Sequence, residues 1–83
     1  MYQVTVWVHP ALTSFLSGDY EALPAGEIAL RIREGASVRD LLDLLGLPRG
    51  LAELILVNGE FARADTILPA SAHVKIYPVF GGG

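Results

Sequence analysis

The sequence predicts an α+β fold: a mixed sheet of four to five strands with one main helix packed on one face. Three observations predict it. Valines alternate at positions 4, 6 and 8. Val38, Leu41, Leu42 and Leu45 recur at helical spacing between a capping serine, Ser37, and a stop glycine, Gly46. An Asn58-Gly59 pair separates two β-prone runs.

Tyr2 to Val8 reads as the first strand, with Val4, Val6 and Val8 on one face and Gln3, Thr5 and Trp7 on the other. Period-two alternation and β-branched side chains suit a half-buried pleated surface. His9-Pro10 ends it, because proline has no N–H for a ladder. Residues 11–26 form a long connection rich in turn formers, Ser17-Gly18-Asp19, Pro24 and Gly26 among them. Within it Leu12, Phe15 and Leu16 are expected to make a short helical turn against the core edge. Glu27 to Arg33 is the second strand, with Ile28, Leu30 and Ile32 inward. The two strands make a hairpin with a wide loop.

Ser37 stands at an N-cap with Asp40 three residues on, which is a capping-box spacing. Gly46 suits a C′ position and Pro48 follows it. The helix is short, so tertiary packing must hold it. Leu51 to Val57 contains a third strand, and Asn58-Gly59 is the strongest short hairpin signal because both residues accept positive φ. Glu60 to Ala62 is its brief return strand. Ile67 and Leu68 are expected to drop onto the core. His73 to Pro78 is the last strand, with Val74 and Ile76 inward and His73, Lys75 and Tyr77 outward. Val4, Val6, Ile28, Leu30, Leu41, Leu42, Leu45, Val74 and Ile76 are the expected core. The order of one helix among these strands is the β-grasp arrangement, a two-layer solution.

The 83 residues make one domain, residues 1–78, followed by a flexible glycine tail, residues 79–83. Six Lys/Arg against nine Asp/Glu give a net charge of −3, and the basic residues are scattered. That argues against a nucleic-acid footprint, which needs a clustered basic face. There is no cysteine, which fits a reducing, cytoplasmic setting. No signal peptide and no apolar run of about 20 residues is present, so neither secretion nor a membrane partner is expected. Hydrophobic residues make up 52% of the chain, a surplus that predicts an apolar docking patch. Two histidines without cysteine make a metal site improbable. Ser14, Ser17 and His9 are local loop polarity rather than a nucleophile with its base. No catalytic constellation is present, so the chain does not read as an enzyme.

The stretch with chemical promise is Val79-Phe80-Gly81-Gly82-Gly83. Glycines carry no side chain and let backbone approach a partner closely. Fully extended, five residues reach about 17 Å at ~3.4 Å each. Such a tail can thread a narrow channel and deliver a carboxylate on Gly83. Set against this is the ordinary reading of a glycine-rich end as an idle terminus.

Gly35-Ala36-Ser37-Val38-Arg39-Asp40-Leu41-Leu42, Val57-Asn58-Gly59, and Val74-Lys75-Ile76-Tyr77-Pro78-Val79 followed by glycines together resemble the MoaD/ThiS family of ubiquitin-like sulfur carriers. The resemblance spans nearly the whole chain and leans to the MoaD branch, the molybdopterin synthase small subunit. It departs from the family at Ala70-Ser71-Ala72, where a Gly-Asp turn is usual, and at Phe80 and the third glycine.

The resemblance implies that a ubiquitin-activating-enzyme-like adenylyltransferase uses ATP to convert the Gly83 carboxylate to an acyl-adenylate. A sulfur donor then leaves a thiocarboxylate, and the sulfur passes to a cofactor precursor on the molybdopterin synthase large subunit or an equivalent acceptor. No cofactor is bound by the chain itself. Gly81, Gly82 and Gly83 carry the chemistry. Phe80, Val79, Tyr77, Lys75 and Trp7 would meet the partners. Trp7 and Tyr77 have two readings open: they cap the open sheet face, or they anchor the docking surface. Thiamine-type sulfur carriage, ubiquitin-like conjugation through Gly83, and a plain β-grasp binding domain with an idle tail are the alternatives.

Overall fold

The computed structural model describes residues 1–48 and 50–78. Its elements are β1 (Tyr2–Val8), a 3-10 turn (Pro10–Phe15), β2 (Glu21–Ala22), a turn at Pro24–Gly26, β3 (Glu27–Ile32), α1 (Val38–Leu45), β4 (Ala52–Val57), β5 (Glu60–Phe61) and β6 (His73–Pro78). They form one mixed sheet in the order β2-β3-β1-β6-β4-β5. β1 runs antiparallel to β3 and parallel to β6, and β4 runs antiparallel to β6. β6 therefore lies inside the sheet with a partner on each side. This is the β-grasp arrangement.

The period-two reading of the strands holds. Val4, Val6, Val8, Ile28, Leu30, Ile32, Val74 and Ile76 are buried, and they join Val38, Leu41, Leu42 and Leu45 of α1 in one core. Every residue of the expected core is in it. Among the described residues no polar or charged side chain is buried. Leu12 and Leu68 are also buried, while Phe15 and Ile67 are not. The expectation for Ile67 is thus corrected. Its neighbour Ser37 bridges to it through backbone, and the alternation that sends Leu68 inward turns Ile67 outward, 57% exposed.

The sheet has one strand more than the sequence predicts. β2 is two residues long, Glu21 opposite Ala29 and Ala22 opposite Ile28. Two residues carry no periodic signal, and the strand exists because the connection lies along the edge of β3.

The helix is fastened at both ends. At its start Ser37 Oγ accepts from the Asp40 amide at 3.2 Å, and Asp40 Oδ2 accepts from the Ser37 amide at 2.9 Å. This is the reciprocal capping box. The Val38 and Arg39 amides donate to Thr66 O and Ala64 O, both at 2.9 Å. The Ser37 amide above all, opposed in part by desolvation and aided by the Ser37 hydroxyl and the charges of Arg33 and Arg39, holds the Asp40 carboxyl below the ordinary carboxylate range.

At the other end Gly46 is left-handed, φ 72°. The Leu47 amide reaches Leu42 O at 3.0 Å and the Gly46 amide reaches Asp43 O at 3.2 Å, the paired bonds of a Schellman motif. The Ser17 amide then donates to Leu45 O at 2.9 Å. Gly18 lies so close to Leu44 O, and Gly46 so close to Ser17, that a Cβ at either glycine would collide. The long connection thus closes over the last turn of α1. Among the described residues no helix is long and apolar enough to cross a membrane.

Candidate functional site

Strand parity sends Lys75 and Tyr77 to the sheet face away from α1, together with Trp7. Trp7 lies beside Lys75 in the register of β1 and β6, and Glu27 of β3 lies on the other side of Trp7. The Trp7 and Tyr77 ring centres are 5.2 Å apart with a 52° tilt. His9 joins them, edge-on to Trp7 at 5.9 Å and 6.3 Å from Tyr77. These separations are those of attractive aromatic pairs.

His9 is held on two sides. Its amide donates to Ile76 O at 3.0 Å, and its Nδ1 accepts from the Ala11 amide at 3.0 Å. The proton of a neutral His9 therefore sits on Nε2. Pro10 at the start of the 3-10 turn redirects the chain and leaves the imidazole beside the aromatic pair. The three rings stand at the C-terminal ends of β1 and β6, where the chain passes Pro78.

A shallow concavity is lined by Trp7, Ala25, Glu27, Lys75 and Tyr77. Ala25 and Gly26 have φ of 64° and 78°. This left-handed pair curls the turn so that the bare Cα of Gly26 faces the Trp7 indole, where a Cβ would stand 3.5 Å from Nε1.

The apolar surface continues across β4 and β5. Leu54 lies opposite Tyr77, Leu56 opposite Lys75, and Phe61 opposite Leu56. Leu54 is 44% exposed and Phe61 79% exposed. A register shift between Ala52 and Leu54 inserts Glu53 and sets this parity. One row thus reads Glu27, Trp7, Lys75, Leu56, Phe61 across five adjacent strands.

Of the residues expected from sequence, Trp7, Lys75 and Tyr77 are brought together. Val79, Phe80, Gly81, Gly82 and Gly83 lie outside the described residues. His9, Leu54, Leu56 and Phe61 were not expected on this face. The signal for Phe61 was available: a two-residue Asn-Gly turn, with Asn58 and Gly59 at φ 51° and 85°, fixes the register of the strands it joins. His9 carries no such signal, because its position depends on the turn after it. Among the described residues no group of three His, Cys, Asp or Glu side chains is placed to hold a metal.

The family described as Mut7-C ubiquitin matches residues 1–82. The chain belongs to that family. The resemblance to ubiquitin-like proteins of the MoaD/ThiS type is borne out with it. Two solved structures of the small archaeal modifier protein 1 (SAMP1) from Haloferax volcanii share the fold. One is 16% identical with a TM-score of 0.65, over 98% of this chain and 99% of that one. The other is 17% identical with a TM-score of 0.67, over 94% and 98%. At such identities the likeness is one of fold. No curated protein matches the chain.

Proposed function

We propose that this member of the Mut7-C ubiquitin family is a protein-borne carrier, whose Gly83 carboxylate is adenylated by a partner and converted to a thiocarboxylate. The sulfur then goes to a cofactor precursor, with molybdopterin as the expected product and a synthase large subunit as the acceptor's host. The observation that carries the reading is positional. β6 presents Lys75 and Tyr77 beside Trp7 and ends at Pro78, five residues before Gly83 in the sequence. A partner seated on the aromatic face would stand at the root of the tail.

The division of labour follows from the chemistry. A carboxylate is a poor electrophile until activated, and an acyl-adenylate hydrolyses in water. The step therefore belongs in a closed site that excludes solvent, which a side-chain-free segment can enter. ATP is consumed by the partner, and the carrier supplies the docking face and the reacting carboxylate. Trp7, Tyr77 and Lys75 would meet the adenylyltransferase or the acceptor, with Val79 and Phe80 guiding the tail.

A second reading is favoured by the fold shared with an archaeal modifier protein: the same activated carboxylate meets a lysine amine and forms an isopeptide. Both readings require a free carboxylate on Gly83, and one measurement separates them. The intact mass of the protein from its native cells should show replacement of one oxygen by sulfur. High-mass conjugates without that species would support the modifier reading. A chain extended beyond Gly83 would exclude both.

A further inference from the structure

The chain contains a single lysine, Lys75; its other basic side chains are the arginines at 31, 33, 39, 49 and 63. Arginine does not serve as an acyl acceptor under the conditions in which lysine does, because its guanidinium stays protonated. Within residues 1–83, side-chain amide formation is therefore confined to one atom, Lys75 Nζ.

That atom's setting is built. Lys75 is exposed in the middle of an inner strand, with β1 on one side and β4 on the other. It lines the concavity with Trp7, Tyr77 and Glu27, whose rim at Ala25-Gly26 is almost free of side chains. A glycine chain is the kind of segment that can lie against the aromatic pair over such a rim, because it brings no Cβ of its own. Glu27 lines the same concavity from the far side of Trp7.

We infer that Lys75 is the side-chain acceptor for the activated carboxylate of another copy of this chain. This rests on the carrier reading, which supplies the acyl-adenylate. The Lys75 ammonium first loses a proton to water. The free amine attacks the Gly83 carbonyl carbon of the second copy. A C–N bond forms, the C–O bond to AMP breaks, and the amine loses its second proton. The product is two chains joined by one isopeptide, with AMP and pyrophosphate released and no change of oxidation state. Because Lys75 sits within the docking face, the linked acceptor has its aromatic surface covered by the tail it received. Linkage and partner docking are then mutually exclusive on that copy.

The test uses an untagged wild-type donor and an acceptor that is the full chain with a lysine-free C-terminal tag, which removes its own free carboxylate. The two are mixed with the cognate adenylating enzyme, ATP and magnesium. Donor activation is followed by ATP–pyrophosphate exchange, and tagged acceptor is recovered for mass spectrometry. The expected product has the mass of donor plus acceptor less one water. Trypsin should leave Ile76–Gly83 on Lys75, since no Lys or Arg follows position 75. A Lys75→Arg acceptor should give at least tenfold less conjugate with the same wild-type donor. Exchange without any conjugate overturns this inference alone. So does an undiminished conjugate on the Lys75→Arg acceptor, joined through Met1. Failure of exchange in the donor overturns the carrier reading and this inference with it.

Discussion

The two faces of the sheet are made by the same strands and have opposite chemistry. Toward α1, β1 and β6 present Val4, Val6, Val8, Val74 and Ile76, all at or below 2% exposure. Away from it they present Trp7, Lys75 and Tyr77. One face is aliphatic and closed by the helix. The other is aromatic at its centre, flanked by Leu54, Leu56 and Phe61, with no layer over it among the described residues. Aliphatic side chains pack into a dense interior. Rings with polar edges tolerate water on one side until a partner covers them. Strand parity thus separates the packed core from an open face, and under the proposed carrier reading substitutions on the two faces should fail in different assays.

The largest expected effect is on the closed face. Leu42→Ala should cost about 2–5 kcal/mol, a large part of the roughly 4–12 kcal/mol that a domain of this length possesses. Urea denaturation checks it, and a loss below ~1 kcal/mol would mean that the helix does not seal the core. On the open face, Trp7→Ala should leave the denaturation midpoint near that of wild type and weaken partner binding by ~2 kcal/mol or more if Trp7 is a hot spot. Calorimetric titration with the adenylating enzyme reads it. Unchanged affinity would remove Trp7 from the docking surface and leave it as a cap on the sheet.

Much of this division is legible in the chain. Val4, Val6 and Val8 name the inner face of β1 by alternation alone, and Val38, Leu41, Leu42 and Leu45 name the buried side of α1 by their spacing. Local chemistry also marks the ends of α1, because Ser37, Asp40 and Gly46 act within a few residues of where they stand. What stays hidden depends on distant contact. β2 is specified by its register with β3, and the Ser17 bond to Leu45 O joins residues far apart in sequence. The extent of the open face is hidden for a related reason. The shift between Ala52 and Leu54 changes which residues of β4 face outward, and no pattern in Leu51–Val57 announces it.

Smaller effects sharpen the picture at the helix that closes the inner face. Ser37→Ala should cost about 1 kcal/mol, as loss of a helix cap does, without changing partner affinity. A loss of affinity instead would place the start of α1 in the docking surface. The Asp40 carboxyl titrates below its ordinary value in the folded chain and near that value, ~3.9, when unfolded. Its contribution is therefore fully present above the unfolded value and is lost as pH falls through the depressed folded value. Acid titration of stability should show a loss in that window that Asp40→Asn removes. An identical acid profile in the variant would mean that the cap does not depend on the charge.

The claim that organises the rest is that Gly83 offers its carboxylate for activation. ATP–pyrophosphate exchange with the cognate adenylating enzyme tests it most directly, comparing the wild-type chain, Gly82→Val and a form whose carboxylate is blocked by a C-terminal tag. Wild type should support exchange. Gly82→Val should reduce it about a hundredfold or more, as misplacement of a reacting group by even ~1 Å does. The tagged form should support none. Exchange by the tagged form equal to that of wild type would contradict the account and leave the tail idle on a β-grasp binding domain.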